Sequence, residues 1–379
     1  MFLWDWDIGL SDREKKNLRQ GFTTGTAAAA AVKAALVYLF TKQIPGSVNI
    51  NLLNGQRLEI PVDSVSPYNG FVRAVVVKDA GDDPDITHRA RIGAVVGLTD
   101  DPGTVQITGG KGVGMVTKPG LEVLPGEPAI NPGPRKMIRE SALQMLTRYY
   151  NHAGVSAEIF VENGEVLAER TLNRRLGIEG GLSILGTTGL VKPLSHEAYT
   201  ATIRSAMSVA RACGCDHVVL TTGRRSERFS QIFFTDLYNL HPEAFIQIGD
   251  FFGMSMESLA ENKIPNATLA VFFGKALKIA QGFVHTHAAK ADLTMDWLAD
   301  VVSDETGNKT LAREVASANT ARHAFGMLWP GYPDVLEKVG AAMIRSAEKF
   351  CPAPCRFRVV IYDFEGTIAF DSHRMKKSR

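Results

Sequence analysis

Four aspartates fall within seven residues in Lys78-Asp79-Ala80-Gly81-Asp82-Asp83-Pro84-Asp85-Ile86-Thr87-His88, directly after an apolar run. Like charges at such spacing repel, and the repulsion favours protonation of one of them. A carboxyl lifted towards neutrality is equipped to take or give a proton. Asp79, Asp82 and Asp83 are therefore acid/base candidates, joined by His287 of the Thr286-His287 pair. The structural alternatives are an Asp-rich capping turn neutralised by Lys78 and Arg89, and a satisfied structural histidine. The aspartate spacing does not follow an EF-hand calcium loop.

Glycine supplies a second set of candidates. Gly109-Gly110-Lys111-Gly112-Val113-Gly114, followed by Lys118-Pro119-Gly120, exposes backbone amides beside two lysines, a pattern suited to anions. No Gly-Lys-Ser/Thr follows, so it is not a P-loop, and a plain flexible hairpin is the structural alternative. Gly186, Thr187, Thr188 and Gly189 form one polar turn after an apolar run. Thr221, Thr222 and Gly223 form another, and Gly249-Asp250 and Phe273-Gly274-Lys275 two more. Together they suit a nucleotide-like cofactor, with Asp250 as the acid for a ribose or an amine. Arg224-Arg225 after the second turn would instead suit a 2′-phosphate, which keeps an NADP-dependent reductase open. His285 and His287 are two apart, as on one face of a strand, but no third ligand accompanies them and no protein-held metal is expected. Cys213-x-Cys215 and Cys351-x3-Cys355 do not match paired zinc spacing and read as free thiols.

These residues need elements to hold them. Thr23-Thr24-Gly25-Thr26 offers hydroxyl caps before an alanine-rich helix over residues 27–39. Alternating runs 48–53 and 56–62 flank Asn54-Gly55, a hairpin signal, and a strand over 71–77 follows. Residues 104–108 predict a strand, 134–150 a helix, and 157–168 a hairpin turning at Asn163-Gly164. From about Thr171 the rhythm becomes strand, loop, helix. Strands are predicted at 182–185, 217–220, 244–248 and 267–272, with helices at 195–212, 254–261 and 276–281. Residues 293–350 are helix-rich, and a strand pair over 357–370 turns near Glu365-Gly366. The expected fold is an α+β domain over 1–172 joined to an α/β doubly wound, Rossmann-like domain over 173–379 with a C-terminal edge hairpin. In such a sheet the ligand sits outside the carboxyl ends of the strands, where the hydroxyl and glycine turns lie.

Bulk properties narrow the function. The 379 residues carry 42 Lys and Arg against 40 Asp and Glu, a net charge of +2, with one basic cluster from Arg374 to Arg379. Nucleic acid is not an expected partner. Asp5 and Asp7 interrupt the N-terminal apolar stretch and no small-residue cleavage site follows, so a signal peptide is not expected. Residues 27–40, broken by Lys33, fall short of the ~20 residues of a membrane span. A cytoplasmic protein with no membrane partner is expected.

Six blocks in chain order, GFTTGTAAAAAVKAAL, VVKDAGDDPDITH, GGKGVGMVTKPGL, GEPAINPGPRKMI, LNRRLGIEGGLSILGTTGLVKPLS and GKALKIAQGFVHTHAAKAD, closely resemble the CbiD family of cobalt-precorrin-5B C(1)-methyltransferases. The resemblance implies transfer of a methyl group from S-adenosylmethionine to C-1 of a cobalt-containing tetrapyrrole, with cobalt arriving in the substrate. It also implies a two-domain fold. The tetrapyrrole carries many carboxylates, for which Thr23, Thr24, Lys78, Lys111, Lys118, Arg135, Lys136 and Arg175 are the substrate-binding candidates. The chain departs from the family pattern at Arg174, where proline is usual, and at Ala288, where serine is common. A homodimer stays open. So do two other classes, an NADP-dependent oxidoreductase acting on a tetrapyrrole, favoured by Arg224-Arg225 and the strand-helix alternation, and a non-catalytic tetrapyrrole carrier, favoured by the basic residues alone.

Overall fold

The computed structural model describes residues 18–150, 152–287 and 291–373. The N-terminal apolar stretch, Ala288 and the basic tail from Arg374 lie outside them. Contacts divide the chain into two compact units, Met1–His196 and Glu197–Arg379. Residues 173–196, read from sequence as the start of the second domain, therefore fold with the first.

In the first unit, helix α1 (Thr24–Thr41) starts at Thr23, whose side chain accepts from the Thr26 amide. Ala27 through Ala31 have no exposed surface. Small side chains let neighbouring elements come close, and the second helix, α2 (Pro132–Tyr149), brings Pro134 so near Gly25 that a Cβ there would be 2.6 Å from its ring. By length and composition α1 passes as a membrane-crossing helix, but 67% of that window is buried within the protein, the signature of a core helix. The hairpin β1 (Ser47–Asn51) and β2 (Arg57–Pro61) turns at Asn54-Gly55 as expected. A five-stranded sheet runs in the order β3 (Ser64–Tyr68), β4 (Phe71–Val77), β5 (Arg91–Thr99), β7 (Gly154–Val161), β6 (Val105–Gly109). Its pairings are antiparallel except β6 with β7. Pro67 lies in the edge strand β3, where a missing donor does least harm.

Two predicted elements of this unit differ. After β7 the chain turns at Asn163, φ 55°, but continues as the short helix α3 (Gly164–Ala168) instead of a return strand. Its sequence Glu-Val-Leu-Ala is a good helix former. The predicted strand at 182–185 shrinks to Gly181–Leu182, paired in parallel with Gly112–Val113. Beyond it Ile184 is tied by its amide and carbonyl to Ala129 and Asn131.

The second unit is organised by a sheet in the order β9 (Phe245–Gln247), β8 (His217–Thr221), β10 (Asn266–Phe272), β11 (Arg356–Tyr362), β12 (Ile368–Asp371). The first four strands are mutually parallel and β12 closes the edge antiparallel. Alternation along the strands shows why they read as apolar runs. Leu220, Leu269 and Ile361 enter one core cluster, while Val219, Ala270, Val360 and Tyr362 enter another with Phe234. Both faces are covered, as parallel strands require. Helices α4 (His196–Ala212), α5 (Arg224–Tyr238), α6 (Phe252–Glu261) and α7 (Phe273–Ala280) come before or between these strands. Helices α8 (Ala291–Thr306), α9 (Lys309–Ala316), α10 (Ala321–Leu328) and α11 (Pro333–Phe350) precede β11.

Polar groups are also buried in this unit. Arg358 and Asp371, with side chains 4% and 1% exposed, form a two-pronged ion pair at 2.9 and 2.7 Å. The guanidinium lies 4.9 Å from the Phe234 ring centre and 5.0 Å from that of Tyr238. Nearby, His217 Nε2 is 2.7 Å from Thr268 Oγ1. Burial, with the Arg358 and His373 charges adding, pushes the His217 ring down to about 4. A histidine held neutral in this way contributes stability that is complete above its unfolded value of about 6.5 and is lost as pH falls from there to about 4. The melting temperature is expected to drop across that window more steeply in the wild type than in His217→Gln. Parallel curves would reject this role.

Candidate functional site

In the first unit the Asp-rich loop leaves β4 and is stitched to the preceding segment. The Phe22 amide donates to the Asp79 carbonyl at 2.8 Å and the Asp82 amide to the Arg19 carbonyl at 2.9 Å. Arg19 also donates its backbone amide to Asp82 Oδ2 at 2.6 Å and its guanidinium to both Asp79 oxygens at 2.5 and 3.0 Å. Hydrogen bonding from Arg19 holds the Asp79 carboxyl down at about 2. Gly81, φ 67°, is required here, since a Cβ would lie 2.1 Å from the Arg19 carbonyl oxygen. His88 accepts the Ala80 amide through Nδ1 at 3.1 Å.

The remaining aspartates are compensated separately. Lys78, 1% exposed, pairs with Asp85, which also accepts the Thr87 amide and hydroxyl. Asp83 accepts the Leu194 amide at 2.9 Å. Burial raises its pKa and the Asp85 charge adds, while the Leu194 amide and Lys78 pull the other way. The carboxyl lifted towards neutrality is thus Asp83, and desolvation outranks crowding as the cause. Arg19, which no sequence motif singled out, is the loop's main partner.

Several candidate cations are committed to the fold. Lys78 is buried in its ion pair and presents no charge to a ligand. Arg135 donates Nε to the Ile130 carbonyl at 2.8 Å. Thr24 accepts the Leu185 amide at 2.7 Å, and Thr26 donates to the Gly189 carbonyl at 2.7 Å. The Thr23 amide also donates to Gly189, at 3.0 Å, and the Leu53 amide to the Thr188 carbonyl at 3.1 Å. Residues 186–189 therefore belong to the first unit and anchor the start of α1. They do not form the first strand-to-helix turn of the parallel sheet. The glycine-rich stretch is explained by backbone contact as well. A Cβ on Gly112 would meet the Val161 oxygen at 2.0 Å, and one on Gly164 the Gly112 oxygen at 2.1 Å. Lys111, Lys136 and Arg175 are exposed, Lys136 lying 3.9 Å from Glu140. Lys118 is half-buried alongside Gly177.

The second unit gathers polar groups at the carboxyl ends of its parallel strands. Asp250, just after β9, receives Lys275 and the Thr286 hydroxyl, the latter at 2.9 Å, both on Oδ1. Oδ2 has no hydrogen-bond partner among the described residues. Lys275 also donates to the Thr286 carbonyl at 2.9 Å, and the Thr286 amide to the Asp250 carbonyl at 3.0 Å. Burial opposes ionisation of Asp250, but Lys275, Thr286 and the nearby His287 outweigh it and hold the carboxyl below its usual range. Gly249, φ 53°, leaves room for the Tyr199 hydroxyl, which a Cβ would approach to 2.7 Å. Burial pushes the Tyr199 phenol up to about 12, and the Asp250 and Glu227 charges add to the shift.

At the end of β8 the Thr221 hydroxyl is buried without a hydrogen-bond partner among the described residues. Thr222 is half-buried and Gly223 is extended. Glu227 is buried and accepts Gln247 Nε2 at 2.6 Å. His285 and His287 lie on an exposed loop, His285 edge-on to Phe251 at 5.2 Å, and not on a strand face. Of the predicted site residues the fold thus brings Asp250 and His287 together. Sequence reasoning missed Tyr199, Glu227 and Gln247 and gave Lys275 no role. The Gly274-Lys275 strand end carried the only signal for any of them.

The fold is that of a mixed α/β protein with several sheets, an Asp-rich loop in the first unit and a polar acid-and-lysine cluster at the parallel strand ends of the second. Residues 11–193 match the family model CbiD and residues 285–373 the model CbiD, C-terminal domain. The chain belongs to the CbiD family. A Geobacillus sp. (strain WCH70) relative named cobalt-precorrin-5B C(1)-methyltransferase is 45% identical, covering 83% of this chain and 85% of its own. A Priestia megaterium relative of the same name is 43% identical over 82% of this chain and 83% of its own. A solved cobalamin biosynthesis protein (cbiD) from Archaeoglobus fulgidus is 29% identical, covers 72% of this chain and 87% of its own, and superposes with a TM-score of 0.39.

Proposed function

We propose that this chain transfers the methyl group of S-adenosylmethionine to C-1 of cobalt-precorrin-5B, giving cobalt-precorrin-6A, as a cytoplasmic enzyme of anaerobic cobalamin synthesis. The observation that carries this reading is the 45% identity with a named cobalt-precorrin-5B C(1)-methyltransferase across most of both chains. The second unit is read as the Rossmann-like donor domain, which its four parallel strands support.

S-adenosylmethionine supplies an electrophilic methyl group on a sulfonium. The strand-end residues suit such a donor: an unsatisfied hydroxyl at Thr221, the open turn of Thr222 and Gly223, and ionised Asp250 with Oδ2 available. Direct displacement needs no enzyme nucleophile. Alignment of the two reactants can remove roughly 7–11 kcal/mol from such a barrier. Lys275 and Thr286 fix the Asp250 carboxylate in one orientation, and Asp250 recognises the donor's amine or ribose. His287 is the group that adjusts protonation of the acceptor, while Asp79 and Asp82 are tied to Arg19 within the first unit.

The test is calorimetric titration of the purified protein with S-adenosylhomocysteine and, separately, NADPH, followed by mass spectrometry after incubation with S-adenosylmethionine and cobalt-precorrin-5B. Binding of the homocysteine product and a product heavier by one methyl group are expected. NADPH binding alone would overturn the reading.

A further inference from the structure

The same strand ends carry a second constellation that the donor site does not use. Phe272, the last residue of β10, stacks on Phe364, just after β11, with ring centres 5.7 Å apart and planes 7° from parallel. Arg322, in the first turn of α10, lies 4.4 Å from the Phe364 ring centre. Arg225, in the first turn of α5, lies 5.5 Å from that of Phe272 and donates to the Phe364 carbonyl. Phe325 supports Phe364 edge-on at 6.2 Å. Gly366, φ 97°, closes the following turn so tightly that a Cβ would meet the Phe229 ring at 2.5 Å.

Both arginines are exposed, yet neither forms an ion pair with a carboxylate among the described residues. The adjacent acid, Asp363, is occupied by the backbone amides of Glu365 and Thr367. Two guanidinium charges are thus held over flat apolar rings with no carboxylate partner among the described residues. Arginine in this state recognises carboxylate in a planar, directional way, and the rings offer a face for a conjugated system.

We propose that Arg225 and Arg322, over the Phe272–Phe364 stack, seat the methyl acceptor: a conjugated macrocycle rimmed by carboxylates. The assignment rests on the tetrapyrrole reading above. Charge decides between the two reactants. The donor is a sulfonium cation, which two unpaired arginines repel, whereas a polycarboxylate is drawn to them. Phe272 is three residues from Lys275, so the acceptor seat and the Asp250 cluster occupy neighbouring strand ends of one sheet.

The experiment compares the full-length wild type with the double variant Arg225→Ala/Arg322→Ala. Uroporphyrin, a flat octacarboxylate, is the fluorescent probe, S-adenosylhomocysteine the donor-site probe and thermal melting the folding control. The double variant is expected to bind uroporphyrin ~10–100-fold more weakly, with a smaller salt dependence and unchanged S-adenosylhomocysteine affinity. With cobalt-precorrin-5B, KM should rise and kcat change little. Unchanged uroporphyrin affinity, or loss confined to S-adenosylhomocysteine, would overturn the assignment. If only Phe364→Leu weakens the probe, the arginines are not the seat and the proposal likewise falls. Failure of the wild type to methylate cobalt-precorrin-5B would instead count against the functional reading, and the uroporphyrin comparison would still judge the seat.

Discussion

Replacing Asp250 by alanine is expected to weaken S-adenosylhomocysteine binding by ~10–100-fold, the range set by losing a charged hydrogen-bond acceptor in a half-buried site. Methyl transfer should fall at least as far, since a donor free to tilt no longer presents its methyl in line. Two neighbours make the prediction specific. Lys275→Met removes the cation that holds Asp250 ionised against its own burial. Its activity is expected to be lost at higher pH than in the wild type on the acid side, because the folded carboxyl pKa rises when Lys275 is gone. Below that pKa the carboxyl is neutral and the donor loses its partner. Thr286→Val, which removes one 2.9 Å hydrogen bond, should shift the profile in the same direction by less. Calorimetry and the pH dependence of kcat/KM are the measurements. Wild-type donor affinity in Asp250→Ala would remove this carboxylate from the site.

The other large effect is on stability. Asp371→Ala is expected to cost about 3–5 kcal/mol, because it strands the Arg358 guanidinium in an apolar shell. The shell is already demanding: Arg358 Nη1 is buried without a hydrogen-bond partner among the described residues, and the rings of Phe234 and Tyr238 flank the group. Replacing both members, Arg358→Met with Asp371→Met, should recover much of the loss, since apolar side chains of similar size need no counter-charge. Urea unfolding of the two variants is the check. A loss in Asp371→Ala below ~1 kcal/mol would show that water reaches the pair.

The parts of the fold visible in the sequence are those where one signal dominates. Asn54-Gly55 marked its hairpin, and the two-sided burial of β8, β10 and β11 made continuous apolar runs. Hydroxyls before Ala27 marked a helix start. What could not be read depended on distant partners. The run Arg91–Thr99, a central strand, carries glycines at 93 and 97 that mask its pattern. Gly112, within the run 109–114, looked like part of a ligand-binding loop because glycine allows close approach without saying to what. Here the approaching group is backbone from the same unit. The turn at residues 186–189 had the composition of a cofactor loop, and only the Leu53, Thr23 and Thr26 contacts reveal it as the anchor of α1. In the strand-end cluster of the second unit, Asp250 was recognisable as an acid after a strand, whereas Tyr199 and Glu227 join the cluster from helices that no motif marked.

The short antiparallel ladder in which Gly21 pairs with Val191 and Phe22 with Leu190 has a topological consequence. It places residues 21 and 191, near the two ends of the first unit's described chain, one strand spacing apart, ~5 Å. The unit is in effect a ring that happens to be cut at that ladder. Joining these two ends by a short linker and opening the chain at the exposed Asn54-Gly55 turn would give a circular permutant with every sheet pairing intact, the kind of rearrangement that adjacent termini tolerate.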